Sequence, residues 1–447
     1  MRALSFGYEP ARYAMSRLAS IVAPGEAARF GPLRLLDVEE PVLPGARWHR
    51  VRPMLSGICG SDLALLEGNG SRWFEPLMSF PFIPGHEIVG VISGGERDGE
   101  RVVVEPVLHC AIRGISPPCS PCQHGDTGNC EMVAFGDIEP GLQTGYCAAT
   151  GGGWCSELVA HELQLHPVAP AISDEAAVLV EPAACAIHAA IQAISALEVP
   201  SIGAVDGPSD GSTVVVLGAG TLGLAAIAAL SAFREGALPR AGDSELKTIL
   251  AVAKHPGQRS LASSLGADLV VEPSQLARAV RRLTGSLGIG KQAGRLSGGA
   301  DAVLDCVGND ASVSQSISVT RPRGTVVLVG MPGRVSVDLA PLWHREIRLH
   351  GTYAYGIERL PEPAGGITQA GEKHPPHTFE FAQTLVAHAK LERLLSALYP
   401  LERFEDAITH ASNAGRRGSV KIAFAPQERA RPHEAGTRTR REVNSAR

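Results

Sequence analysis

Four cysteines, Cys110, Cys119, Cys122 and Cys130, crowd into one short stretch of the chain. The spacing Cys119-x2-Cys122-x7-Cys130, with Cys110 nine positions before Cys119, offers four thiolates in a single loop. Zinc takes four such ligands tetrahedrally, and a closed all-cysteine set is a structural site. It would tie down a Pro- and Gly-rich lobe with little core of its own. Unmetallated thiols, or a site completed by His109 or His124, are the competing readings. A second set is sparse in sequence. Cys59 lies in Ser56-Gly57-Ile58-Cys59-Gly60-Ser61-Asp62, His86-Glu87 follows Pro84-Gly85, and Glu181 precedes Pro182. One Cys, one His and one carboxylate are three protein ligands that leave a fourth position for water or substrate, as at a catalytic zinc. Neighbouring residues on a strand point to opposite faces, so His86 and Glu87 both reach a metal only where the backbone bends. Pro84-Gly85 can supply that bend; otherwise Glu181 is the third ligand and Glu87 stands behind it.

A third motif concerns phosphate. Gly218-Ala219-Gly220-Thr221-Leu222-Gly223 is G-x-G-x-x-G between a buried strand and a helix. Its glycines allow a tight turn, backbone approach to a pyrophosphate, and close helix–strand packing. The anion then rests on unpaired N–H groups at the helix N-terminus. An Asp or Glu at the end of the next strand would select NAD. Here the strand runs out through Ala251-Val252-Ala253 into Lys254-His255-Pro256-Gly257-Gln258-Arg259. Lys254 and Arg259 would welcome a 2′-phosphate, so NADP is expected over NAD; the bland alternative is a pair of solvated residues at a helix start.

These motifs need elements to carry them. At 447 residues the chain has room for about three domains, or two with insertions. Up to about residue 180, short apolar runs bounded by Gly and Pro, such as Ile88 to Ile92 and Val102 to Val104, read as strands of an irregular β-rich domain. Asp174 to Ala193 reads as an Ala-rich helix capped by Ser173 or Asp174. Beyond a loop at 196–212, strands at Val214 to Leu217, Thr248 to Ala253, Leu269 to Val271, Ala302 to Asp305 and Thr325 to Val329 alternate with helices at Leu222 to Phe233 and Gln258 to Leu265. That alternation predicts a parallel sheet covered on both faces. Mixed texture returns at 341–425, with a polar loop at 361–377 and a helix near Phe379 to Ala389. The Arg-rich tail, 426–447, is expected to be disordered. A net charge of −5 argues against a nucleic-acid partner. No apolar run approaches the ~20 residues of a membrane span, and the N-terminus lacks a signal-peptide layout. Nine cysteines, an odd number, fit poorly with a secreted disulfide framework, so cytoplasmic residence is expected.

In order along the chain, Gly57 to Asp62, Pro81-Phe82-Ile83-Pro84-Gly85-His86-Glu87, the clustered cysteines, Glu181-Pro182, Gly218 to Gly223 and Leu265-Gly266-Ala267-Asp268 resemble the zinc-dependent medium-chain dehydrogenase/reductase family, the broad alcohol dehydrogenase group. The likeness spans roughly residues 30–425. It implies an α/β protein: a GroES-like β-rich catalytic domain (1–179 and 341–425) around a Rossmann domain (180–340), with the active site in the cleft. It further implies that Cys59 and His86 are catalytic zinc ligands, with Glu87 matching the acidic ligand of the polyol and threonine dehydrogenase branch. Glu181 matches the position of a second cysteine in classical alcohol dehydrogenases. Ser61 matches the hydroxyl that takes the alcohol's proton, and Asp62 the carboxylate that orients the ligating histidine. The implied reaction moves a hydride between a nicotinamide cofactor and a small alcohol or carbonyl substrate, a secondary alcohol, polyol, sugar or hydroxy amino acid, with zinc as Lewis acid. A homo-oligomer, dimer or tetramer, is expected by the same likeness. Gly308 and Gly330 either admit the nicotinamide half or serve packing.

Three positions depart from the family pattern. Ala64 replaces a common relay histidine. Ser116 stands where the structural-zinc loop has a cysteine, so that Cys110 must substitute. The loop at 131–153 is long. A non-catalytic dinucleotide- and zinc-binding protein, and a zinc-free quinone reductase-like enzyme, are the alternatives.

Overall fold

The computed structural model describes residues 1–22, 29–198, 212–239, 245–290, 295–358, 360 and 377–428. The chain divides into two compact units, Met1–Glu181 with Lys390–Arg447, and Pro182–Ala389.

The first unit opens with a hairpin of β1 (Arg2–Phe6) and β2 (Leu33–Asp37), joined through a helix, Pro10–Val22, that the sequence reading did not anticipate. There follow β3 (Trp48–Gly57), β4 (Ile88–Ser93), β5 (Arg101–Val104), β6 (Leu158–His161) and β7 (Leu165–Pro167). The predicted runs at 88–92 and 102–104 thus become β4 and β5. The predicted helix from Asp174 is found in two pieces, Asp174–Ala177 and Val180–Ser195. Pro182 explains the break, because it has no N–H for the carbonyl of Val178 and its ring clashes there. It is tolerated where it stands, in the first turn of the second piece.

The second unit is a sheet of six parallel strands. They are β8 (Ser212–Leu217), β9 (Leu246–Val252), β10 (Leu269–Val271), β11 (Ala300–Asp305), β12 (Thr320–Leu328) and β13 (Arg348–Gly351), in the order β10-β9-β8-β11-β12-β13. Its central strands are almost wholly buried, Val214, Val215 and Val216 among them, as a sheet covered on both faces requires. Residues 341–389, expected with the first unit, belong to the second. The reason is that β13 pairs in parallel with β12, Thr325 opposite Arg348 to Leu328 opposite Gly351, and so extends the same sheet.

The chain then returns to the first unit as β14 (Leu395–Tyr399) and β15 (Lys421–Phe424). There they complete the order β14-β15-β3-β4-β5-β7, with β6 also on β3. β15 lies antiparallel to β3 with Ala423 opposite Gly57, and β4 flanks β3 on its other side with Ile88 opposite Ser56. Of the tail, Gln427 hydrogen-bonds the carbonyls of Pro53 and Ser156 and is therefore held in place. Residues 429–447 lie outside the described residues, as do 199–211 and 361–376 of the two predicted loops. No helix among the described residues is long and apolar enough to cross a membrane.

Candidate active site

The end of β3 and the start of β4 bring Cys59, His86 and Glu87 together: one ligand atom from each lies within 4.8 Å of the others. Cys59 caps the helix Gly60–Leu66, and its N–H donates to Asp62 Oδ2 at 2.9 Å. That bond fixes the Asp62 carboxylate, whose other oxygen stands 3.6 Å from His86 Nδ1. Ser61, one residue earlier on the same turn, places Oγ 3.4 Å from His86 Nε2. The expected bend before β4 is present. Gly85 has φ +97°, and a Cβ there would meet the Trp154 ring at 2.4 Å, so only glycine fits.

Lys421, from β15, completes the cluster and was missed in the sequence. Its ammonium forms an ion pair with Glu87 and donates to the Ile58 carbonyl at 3.1 Å. Both side chains are almost wholly buried, Lys421 at 2% and Glu87 at 1% exposure. A Cβ on Gly57 would sit 1.8 Å from Glu87 Oε2 and 2.7 Å from Lys421 Cε, so the pair fits only against a glycine. The available signal was a single cation inside the apolar run Val420 to Phe424. Glu181 does not fall in the ligand cluster, yet its charge is felt at both His86 and Lys421.

The electrostatics favour a cation. Burial opposes a charge on His86, but Asp62, Cys59 and Glu181 outweigh it and raise its pKa well above the usual range. Burial opposes a charge on Lys421 too, and Glu87, Cys59 and Glu181 again prevail, raising it. Burial in turn pushes Asp62 up despite His86 beside it. Asp62 Oδ1 and His86 Nδ1 are buried without a hydrogen bond, at a separation too long for one. A thiol, an imidazole and a carboxylate among surplus negative charge fit zinc.

The four clustered cysteines also converge, with their sulfurs within 4.8 Å of one another. Cys110 and Cys130 sulfurs are 3.6 Å apart, and those of Cys119 and Cys130 are 3.9 Å apart. A tetrahedral zinc with Zn–S of about 2.3 Å sets its sulfurs about 3.8 Å apart. Backbone N–H groups of Cys119, Glu131 and Met132 point at sulfurs of Cys110, Cys119 and Cys130. Burial raises Cys130 to about 11, whereas in Cys119 the N–H groups of Cys122 and Glu131 overcome burial and lower the thiol to about 7. None of the nine cysteines is in a disulfide. Arg113, also unforeseen, is fully buried beside this lobe. Its guanidinium donates to the carbonyls of Leu108, Phe135, Ile138, Glu139 and Gly141, which pins the loop after Cys130.

In the second unit the glycine turn has the geometry its spacing predicts. Gly218 has φ +99°, and a Cβ on Gly223 would lie 1.9 Å from the Gly218 carbonyl oxygen, so helix and strand meet at glycine distance. A Cβ on Gly220 would meet nothing within 4 Å, which leaves its face open. Thr221 and Leu222 begin the helix Thr221–Glu235. Beyond β9, Lys254 is exposed, but Arg259 is engaged with Glu272 at 3.1 Å and with the Lys254 carbonyl at 3.1 Å. Of the two predicted phosphate partners, only Lys254 has its side chain turned to solvent without such a tie.

Comparison with known proteins finds matches in both units. The profile "Alcohol dehydrogenase GroES-like domain" matches residues 45–170, and "Zinc-binding dehydrogenase" matches 242–366. D-xylulose reductase A of Aspergillus oryzae is 29% identical over 380 residues, 82% of this chain and 87% of that protein. The probable D-xylulose reductase A of Arthroderma otae is 30% identical over 331 residues, 71% and 79% respectively. Among solved structures, a putative zinc-binding dehydrogenase from Sinorhizobium meliloti 1021, bound to NADP, superposes with a TM-score of 0.60 at 22% identity, covering 88% of this chain and 95% of that one.

Proposed function

The chain belongs to the zinc-dependent medium-chain dehydrogenase/reductase family and is a zinc-dependent oxidoreductase, passing a hydride between a nicotinamide cofactor and an alcohol or carbonyl substrate; from that premise we propose that Cys59, His86 and Glu87 hold its catalytic zinc. The observation that carries this reading is the convergence of those three side chains within 4.8 Å. Bound there, zinc supplies a Lewis acid that lowers the pKa of a substrate hydroxyl, and the nicotinamide supplies the hydride acceptor or donor. Asp62 acts on the His86 ring through its charge from 3.6 Å, Ser61 Oγ takes the alcohol's proton, and Lys421 holds Glu87. Glu181 is the carboxylate standing behind the cluster. Ala64 offers no titratable side chain, so the proton leaves Ser61 by another carrier. Cys110, Cys119, Cys122 and Cys130 hold a second, structural zinc, and the Gly218 to Gly223 turn holds the pyrophosphate.

The substrates are polyols, sugars or their ketoses, a reading supported by the carboxylate in the ligand set and by the reductases to which the chain is similar. A panel of alcohols, polyols, sugars and aldehydes with NAD and NADP tests it: nicotinamide turnover with simple primary alcohols alone would overturn the substrate class. Elemental analysis is expected to find about two zincs per chain, one in a closed and one in an open site; a metal-free protein would contradict both sites.

NADP is the favoured dinucleotide, on the strength of Lys254 and the missing carboxylate after β9. Lys254→Ala is expected to weaken NADP binding about tenfold and leave NAD unchanged, the loss of one charge-assisted hydrogen bond. Tighter binding of NAD than NADP by the unaltered protein would refute the preference. Cytoplasmic residence and homo-oligomeric assembly belong to the same proposal. Supporting the latter, all four residues of β13 are exposed at the sheet edge, and an unpaired edge is a template for a second chain.

A further inference from the structure

Asp305 ends β11 with no exposure to solvent. Its Oδ1 accepts from the N–H of Val307 at 2.9 Å and of Gly308 at 3.0 Å. Its own carbonyl accepts from the N–H of Val329 at 2.9 Å and of Gly330 at 2.8 Å. One residue thus fixes the turn after β11 and the turn after β12. The two turns touch at backbone distance: a Cβ on Gly330 would lie 2.5 Å from the Val307 carbonyl carbon, and one on Gly308 would lie 2.8 Å from that of Gly330. The glycine turn after β8 joins them, since a Cβ on Gly218 would meet Val307 Cγ2 at 2.6 Å. Gly308 and Gly330 therefore serve packing directly.

The sheet order gives this junction its meaning. From β8 the chain moves outward to β9 and β10, then returns to β11 on the other side of β8. Ligands of open parallel sheets bind outside the carboxyl ends of the strands at such a reversal. If Gly218 to Gly223 takes the pyrophosphate and the end of β9 takes the adenosine ribose, the other half of the dinucleotide runs over the ends of β11 and β12. The second turn needs only the main-chain carbonyl, so a buried carboxylate is an expensive way to hold the first, and its Oδ2 makes no hydrogen bond in the structure.

We propose that Asp305 is the positioning residue for the nicotinamide half of the dinucleotide, acting through the Val307-Gly308 and Val329-Gly330 backbone. The proposal rests on the dinucleotide reading of the glycine turn. The test compares NADPH with 2′-phospho-ADP-ribose, which lacks the nicotinamide (NADH and ADP-ribose serve if NAD proves the cofactor). Asp305→Ala is expected to weaken NADPH about tenfold or more and leave phospho-ADP-ribose unchanged, while Asp305→Asn, which keeps an acceptor oxygen, restores most of the loss. Equal weakening of both ligands would mark a merely structural role and overturn the proposal, as would no weakening of either. If the alanine variant fails to fold, amide exchange in the unaltered protein decides. Exchange at 307–308 and 329–330 should slow with NADPH and not with phospho-ADP-ribose, and unchanged exchange with NADPH would overturn the proposal. An unaltered protein that binds neither ligand would instead bring down the dinucleotide reading itself, and this proposal with it.

Discussion

Replacing Cys59 or His86 by alanine should abolish turnover while dinucleotide binding survives. Each side chain contributes one of the three ligand atoms within 4.8 Å, whereas the glycine turn lies in the other compact unit. Lewis-acid stabilisation is worth several kcal/mol, and each 1.36 kcal/mol is tenfold, so the loss in kcat should be about a thousandfold or more. Zinc per chain should fall from about two to about one, the closed cysteine site being untouched. Steady-state rates, a fluorescence titration of the reduced dinucleotide and metal analysis on the same preparations supply the three readouts. Rates near those of the unaltered enzyme in either variant would remove the basis for a metal at this cluster.

The second large effect is on stability. In the zinc-free protein, Lys421→Met should destabilise the fold by about 3–5 kcal/mol, because it removes the cation paired with the buried Glu87 carboxylate. Removing both charges, as Lys421→Met with Glu87→Gln, should recover most of that loss, since the penalty comes from the uncompensated charge rather than from the missing attraction. Denaturant unfolding of the single and double variants measures this. A double variant no more stable than the single one would show that Lys421 acts by packing alone. Because Glu87→Gln would also remove a proposed zinc ligand, the comparison is made on zinc-free protein, which keeps metal binding out of the measured stabilities.

Much of this architecture was legible in the residues, and the reasons are local. The strands of the second unit are continuous Val/Ile/Leu runs, because a sheet buried on both faces leaves no polar positions to blur them. The glycine turn was readable because each glycine answers a separate steric demand, and Gly218 and Gly223 meet theirs in the structure. His86 and Glu87 could be paired because Pro84-Gly85 announced a bend. Features set by distant partners were not readable in the same way. β13, a four-residue strand with every side chain exposed, has no apolar pattern to mark it, and residues 341–389 were consequently assigned to the wrong unit. The choice between Glu87 and Glu181 depended on which carboxylate the fold brings to Cys59, and sequence spacing carries no such information. Arg259 looked free to meet a phosphate until its tie to Glu272 was seen. Lys421 was passed over because its partners, Glu87 and Ile58, lie hundreds of residues earlier.

That last separation bears on how the enzyme is made. Chains fold as they emerge during synthesis, domain by domain. Everything from Pro182 to Ala389 leaves the ribosome before β15 does, so the nascent N-terminal segment carries Glu87 with neither its lysine nor the β3–β15 pairing that holds Gly57 in place. The intervening unit is thus free to mature first, although it begins later in the gene. If Cys59, His86 and Glu87 hold zinc as proposed, the lysine that braces Glu87 reaches that centre only once β15 has been made.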